Sequence, residues 1–590
     1  MFARIASAAV VATALLALPT PGAGQPAFQA QATGKKVLDH EVYDDWRTIR
    51  DRELTADGRW LAFRYVPGEG DAELILRRTD GDESHAIARA ASMALSEDGR
   101  YAIVRIAPAH EEVKALRREG KNGDDLPPDT LGILAVGSDV SSMVRIPRVE
   151  SFKLPEEGSG FVAFVQSLSE EEKEAMEEAA EAAAEAEPEA GEEPTEEGEE
   201  DEGEKPERGD GEPLVLRSLS SGQEWRFTDV ADYVFAPDGA FLIFVRATED
   251  GEGDGVFVVD TSTGQESALA SGIGRYQGLV ASETGYRVAF LSDYEDWEAE
   301  EPDFSLYVAT HGDDPLARVA GPGSDGVPEG WGVSEHGDLG FSEDGERLFF
   351  VTAPLPTPEP EDDLLDDEKV TVDIWNWRDP FLQPMQLLRA DDDRNRSYQA
   401  VVHLNRDNRI VQLATEGVPE VRIPEGGLGG FAMGVSDLPY RQLISWDGRY
   451  FDTYVVDMAT GEATRVAEKV RGFNAGSLSP EGRYIGYWHE FEKAWMAVST
   501  ETGQTTNLSA NIPFPTWDEL DDHPQPPPPE SFIRWTEGDA EAVVADAFDL
   551  WLVDPETGQA RSLTEGVGRE QGLRFRYAQT DPEETAIPRD

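Results

Sequence analysis

The chain contains no cysteine, which removes disulfides, thiolate metal sites and a cysteine nucleophile together. Lysine is scarce beside arginine, and 51 basic residues stand against 118 acidic ones for a net charge of −67. A surface of that sign repels nucleic acid and anionic membranes, so neither is expected as a partner. Beyond the first twenty residues no apolar run approaches the roughly 20 residues that a membrane-spanning helix requires. Also missing are a Gly-x-Ser-x-Gly pentapeptide, a His-Glu-x-x-His pair, and a glycine-rich loop between a strand and a helix. What is present is a 590-residue chain that is 39 % apolar, enough to bury a large core and to exclude wholesale disorder.

Arg4 precedes an apolar stretch from Ile5 to Leu18, followed by Pro19, Pro21 and small residues. A charged start, a short apolar region and cleavage zones near Gly24 or Ala30-Gln31-Ala32 read as an export signal over residues 1–32. A buried N-terminal helix is the plain alternative, but the stretch is apolar on every side. Without cysteine no lipid can be attached by lipoprotein chemistry. The mature chain is expected to be exported, periplasmic or extracellular.

One phrase recurs through the rest. It runs apolar, Ser/Thr/Ala, any residue, Asp or Glu, Gly, then an aromatic and β-branched strand. Copies start at Leu54, Leu95, Phe235 and Phe341, with looser ones at Ile444 and Leu478. Asp-Gly between apolar runs is a strong hairpin signal, because Gly reaches positive φ and Asp tolerates it. A second phrase follows: Val258-Val-Asp-Thr-Ser-Thr-Gly264, Val455-Val-Asp-Met-Ala-Thr-Gly461 and Leu552-Val-Asp-Pro-Glu-Thr-Gly558. Together they give about four antiparallel strands per unit of roughly 40 residues, the pattern of a β-propeller blade. A β-sandwich needs no such repetition. Unit starts fall near residues 50, 90, 155, 230, 280, 340, 440, 475 and 535. Allowing for split blades, the expected fold is all-β, a propeller of seven or eight four-stranded blades over residues 36–580.

Glu170 to Glu212 is a low-complexity insert with 22 acidic and 3 basic residues. Its first part has helix-forming residues without an apolar face, and its Gly/Pro/Glu part is expected to be disordered. It interrupts a blade between Phe161-Val-Ala-Phe-Val165 and Leu214-Val-Leu-Arg217. Pro354 to Asp367 and the run Pro526–Pro529 read as surface crossings.

The search for catalytic chemistry is short. Gly332-Val-Ser334-Glu-His336-Gly337 is the nearest approach to a nucleophile elbow, but it ends in His and opens no helix, so Ser334 reads as blade sequence. The eight histidines, at 40, 85, 110, 311, 336, 403, 489 and 523, are scattered, which gives little support to a zinc site. Glu249-Asp-Gly-Glu-Gly-Asp-Gly255 lacks the alternating ligand spacing of a calcium loop and reads as turns. Some carboxylate pair must lie close in so acidic a chain, but the sequence does not name it. No catalytic, cofactor-binding or metal residue is assigned.

Three segments resemble secreted bacterial peptidases of the prolyl oligopeptidase family. They are Val37 to Trp46 with Leu54 to Trp60, Val372 to Gln386 with Asp393 to Tyr398, and Trp535 to Asp539 with Phe548 to Gly558. The resemblance spans residues 36–580, and the Trp/Pro/Gln order of the middle segment is its most specific part. It implies a propeller that restricts access to a following α/β-hydrolase domain carrying a Ser-Asp-His triad, and short peptides as substrates. The chain ends at Asp590, with residues 581–590 a tail where the hydrolase is expected to begin. No triad residue has a counterpart here. Two readings stay open: the substrate-gating propeller of such a peptidase, either truncated from its hydrolase or encoded apart from it as a separate partner, or a non-enzymatic envelope propeller that binds or scaffolds another protein.

Of the −67, −19 falls in the insert and −48 elsewhere. That residual excess suits a highly hydrated, salt-adapted exported protein.

Overall fold

The structure, a computed structural model, describes residues 43–589 except 45, 159, 169–207, 209–210, 300–301, 313, 357–371, 473–475 and 581–583. The export signal and nearly all of the acidic insert therefore lie outside the described residues.

Nearly every regular element is a β-strand, paired antiparallel with its sequence neighbour. Among the described residues there are eight hydrogen-bonded sheets, seven of four or five strands and one of seven. The seven-stranded sheet divides at its long strand Glu224–Phe235. Residues up to Val230 pair with Glu212–Ser218, and Val230 onward pairs with Phe241–Arg246. Asp229, at φ 58°, marks the break. Nine four-stranded units result, beginning at residues 47, 90, 149, 230, 276, 331, 420, 477 and 534. These nine units exceed the seven or eight blades expected: the starts read near 155 and 230 each open a four-stranded unit, joined by the one strand they share, and the allowance for split blades was not needed.

The recurring phrase is the turn between the first and second strands. Gly58 and Gly345 sit at φ 67° and 64°, and each amide donates to the carbonyl three residues earlier at 2.7 Å. The hydroxyls of Thr55, Ser96 and Ser342 donate to Asp57, Asp98 and Asp344 at 2.7, 2.8 and 2.6 Å. The aspartate carboxylate thus satisfies a buried hydroxyl while the glycine reverses the chain. The second phrase closes the third and fourth strands: Asp260, Asp457 and Asp554 each accept two backbone N–H groups of the Thr-Gly turn.

One looser copy is not such a turn. Ile444-Ser-Trp-Asp-Gly448 ends the 3-10 segment Leu438–Ser445 and leads into Tyr450–Asp457, the third strand of blade 7. That blade begins at Glu420–Arg422, not near residue 440. Asp-Gly favours reversal anywhere, and here it terminates a helical turn, with Gly448 N donating to Leu443 O at 3.2 Å.

Blades pack face to face, so the second and third strands are buried on both sides and read as unbroken apolar runs. In Arg287–Ser292, Val288 and Phe290 enter the cluster shared with blade 4, while Ala289 and Leu291 enter the cluster shared with blade 6. Each blade shares a cluster with the next, ending with Tyr484, Trp495 and Trp535 between blades 8 and 9. Among the described residues no apolar cluster joins blade 9 to blade 1. The free face of blade 9 is covered by Phe575 and Ile587, and Ile587 exchanges backbone hydrogen bonds with Trp535 and Glu537 at 2.9 and 3.0 Å. Propeller packing thus runs into the expected tail. At the other end Arg47–Leu54 is exposed almost throughout. No helix among the described residues is long and apolar enough to cross a membrane.

Candidate functional site

The strand order decides where function can sit. In every blade the first and third hairpin turns lie at one end of the sheet, and they are short. The second turn and the crossing to the next blade lie at the other end, and all the long segments gather there. They include the helix His110–Arg118 in blade 2 and the described residues 372–397 in blade 6. The strands that flank the acidic insert in blade 3, Phe161–Gln166 and Glu212–Ser218, leave and re-enter the sheet at this end. Residues 437–449 in blade 7 and the crossing 508–533 complete the set. Loops on a rigid scaffold are the usual carriers of binding function.

Two features stand out on this elaborated end. The first is the segment with the most specific family resemblance, Val372 to Gln386. It folds as a loop ending in the short helices Gln383–Leu388 and Ala390–Arg394. Phe381 anchors it, buried beneath the guanidiniums of Arg389 and Arg441 at 4.6 and 5.3 Å. The Gln442 side-chain amide donates to the carbonyls of Arg378 and Asp379 at 3.0 and 3.2 Å, fastening blade 6 to blade 7. The loop is held firmly, yet its apolar side chains face outward: Trp375 is 66 % exposed, Trp377 83 %, Trp446 74 % and Leu388 86 %. Contiguous exposed aromatics on a fixed loop mark an interaction surface.

The second is a cavity of about 870 Å³ where blades 7, 8 and 9 meet the strap 525–532. Its walls carry Arg449, Arg471, Arg534 and Arg576, the carboxylates Glu490 and Glu530, and the indoles of Trp488 and Trp495. Arg471 pairs with Glu490 at 3.4 Å. Glu530 takes Arg576 at 2.9 Å and also Arg574. Burial, and then the neighbouring Arg574 charge, push the pKa of Arg576 down. The run Pro526–Pro529, expected as a plain surface crossing, forms part of this wall.

The residues weighed in the sequence fall elsewhere. Ser334 is buried just after the strand Trp331–Val333, and its Oγ accepts the His336 backbone N–H at 3.2 Å. Its environment is that of blade sequence. In the acidic loop, Asp254 accepts the Thr248 N–H at 2.7 Å and pairs with Arg208 at 2.6 Å. Its carboxylate builds a turn. His403 is buried against the Met458 carbonyl at 3.0 Å, and burial pushes its pKa down. Asp521, Asp522 and His523 offer ligand atoms within 4.8 Å of one another, but Asp521 Oδ1 already holds the His523 ring and Asp522 and His523 are exposed. The close carboxylate pair unnamed by sequence is Glu283 and Glu157. Burial first, then Glu157, raise the pKa of Glu283. This pair lies among the short turns, away from the elaborated end.

The fold is a β-propeller. No family model matches the chain, and no curated protein matches it in sequence. Several solved structures are similar to it. One is the β-propeller domain of the trilobed protease from Pyrococcus furiosus, at 10 % identity over 72 % of this chain and 99 % of that one, TM-score 0.29. A second belongs to a study of two prolyl endopeptidases, at 9 % identity over 78 % of this chain, TM-score 0.31. The present chain spans about half of that one, 49 %. A third is a eukaryotic initiation factor, at 9 % identity over 78 % of this chain and 88 % of that one, TM-score 0.38. Proteins of such different roles share the architecture, and these likenesses carry no conclusion about activity.

Proposed function

We propose that this chain is the propeller component of a prolyl-oligopeptidase-like serine peptidase of the cell envelope, docking an α/β-hydrolase partner and limiting its access to short peptides. The observation that carries this reading is the rigid, outward-facing surface of Trp375, Trp377, Trp446 and Leu388. Trp375 and Trp377 come from the segment that most specifically resembles the family, Leu388 from the helix that follows and Trp446 from blade 7, all at the end where the long loops collect. An apolar surface of this kind fits a protein partner better than water. The chain itself contributes no nucleophile elbow.

The test is capture of the full, tagged chain from envelope extract after labelling with a fluorophosphonate that reacts with serine hydrolases. A labelled partner at one-to-one ratio is expected, with no label on the chain. Label on the purified chain would overturn the reading. So would a stoichiometric partner that does not label, which would favour a non-enzymatic scaffold.

A further inference from the structure

The cavity between blades 7, 8 and 9 is not used by the proposed docking surface, and its chemistry differs from the rest of the molecule. In a chain of net charge −67, its wall holds four arginines against two glutamates. Both glutamates are already engaged by Arg471, Arg574 and Arg576. Arg534 has no hydrogen-bond or ion-pair partner among the described residues, and its side chain is exposed. A guanidinium left open at a pocket wall is a ready donor to a carboxylate.

The second observation is the Trp488 indole. Its ring lines the cavity, while its Nε1–H is shut off from accessible space and has no hydrogen-bond partner, so it is the ring face and not the N–H that meets a ligand. Much of the remaining wall is apolar, although Ser477, Gln525, Ser531 and Tyr577 also line it: Val470 and Val543 are buried, Trp495 meets Trp488 edge-on at 5.6 Å, and the prolines of the strap close one side. An open guanidinium beside indole rings, valines and prolines describes a ligand with an anionic head and an apolar body.

The geometry points to a binding site for apolar organic carboxylates between blades 7 and 9, with Arg534 receiving the carboxylate, and Trp488, Trp495 and the Pro526–Pro529 strap covering the apolar part. About 870 Å³ is room for a molecule of ordinary ligand size rather than a bare ion. The site needs no hydrolase partner, so it stands or falls independently of the peptidase reading.

The experiment is titration of the purified full chain with 4-phenylbutyrate, followed by tryptophan fluorescence and calorimetry. Parallel titrations use 4-phenylbutyramide and inorganic phosphate. Saturable binding of the carboxylate is expected, with the amide and phosphate each at least tenfold weaker. Arg534→Ala should weaken binding about tenfold while Arg534→Lys retains part of it. Trp488→Ala, which removes the ring that lines the cavity, should weaken it several-fold. Equal binding of acid and amide would overturn the assignment, as would phosphate binding as well as the carboxylate. An unchanged affinity in Arg534→Ala, with the unfolding midpoint preserved, would overturn it too.

Discussion

Asp539 of blade 9 supplies the carboxylate that the first turn of blade 8 lacks: Ser479 Oγ donates to its Oδ2 at 2.5 Å. In blades 1, 2 and 6 the turn hydroxyl is satisfied by an aspartate two residues on. Blade 8 has Glu481 at that position, and Asp539 accepts instead, taking the N–H groups of Glu481 and Arg483 at 3.2 and 3.1 Å as well. Asp539 is 1 % exposed and held at φ 50°. The repeat motif is completed across a blade boundary, so it joins the two units as well as turning the chain.

Removing that carboxylate should leave three donors unsatisfied. Asp539→Ala is expected to destabilise the fold by about 3 kcal/mol, read as a lowered denaturant midpoint. Adding Glu481→Asp should restore part of the loss, because an aspartate there can close the turn locally as Asp98 does for Ser96. A double variant no better than the single would show that Asp539 acts otherwise.

The exposed tryptophans make the opposite prediction. Trp377 and Trp446 bury little against their own chain, so replacing both by alanine should change stability by less than about 1 kcal/mol. Binding of the hydrolase partner should fall about a hundredfold, since buried aromatic anchors dominate interfaces. Equilibrium binding of the captured partner to the two chains measures this directly.

His523 offers a pH signature of the strap. Its hydrogen bond to Asp521, and then the Asp521 charge, raise its pKa above the ordinary value, and the same hydrogen bond lowers that of Asp521. A raised histidine pKa means the pair is fully formed below about pH 6.5 and weakens as pH rises through the folded-state value. The imidazole NMR titration of His523 should therefore have its midpoint above about 6.5, and Asp521→Asn should bring it back. A wild-type midpoint at the ordinary value would show the pair does not persist in solution.

Much of the fold was legible because blade turns are local chemistry. Asp-Gly and Thr-Gly phrases act within a few residues, and the structure uses them where the sequence put them, from Leu54 to Gly558. The same locality misled at Ile444, where an Asp-Gly closes a 3-10 segment. The site was less legible. The outward Trp375 and Trp377 came from a segment picked out by family resemblance, but nothing in its sequence says that Trp377 is exposed and Phe381 buried. The cavity was not legible at all. Arg471, Trp488, Arg534 and Arg576 come from three blades and a C-terminal segment, and only the packing of those units brings them together.

The central claim is that a hydrolase docks on the end of the propeller where the long loops collect. Among the described residues the lysines are few and separate the two ends: Lys114, Lys121, Lys469 and Lys493 lie toward the elaborated end, while Lys153 closes a first strand at the short-turn end. Lysine-directed cross-linking of the captured complex, read by mass spectrometry, therefore reports the docking face. The account predicts links to the labelled hydrolase from Lys114, Lys121, Lys469 or Lys493 and none from Lys153. Links from Lys153 alone would contradict it.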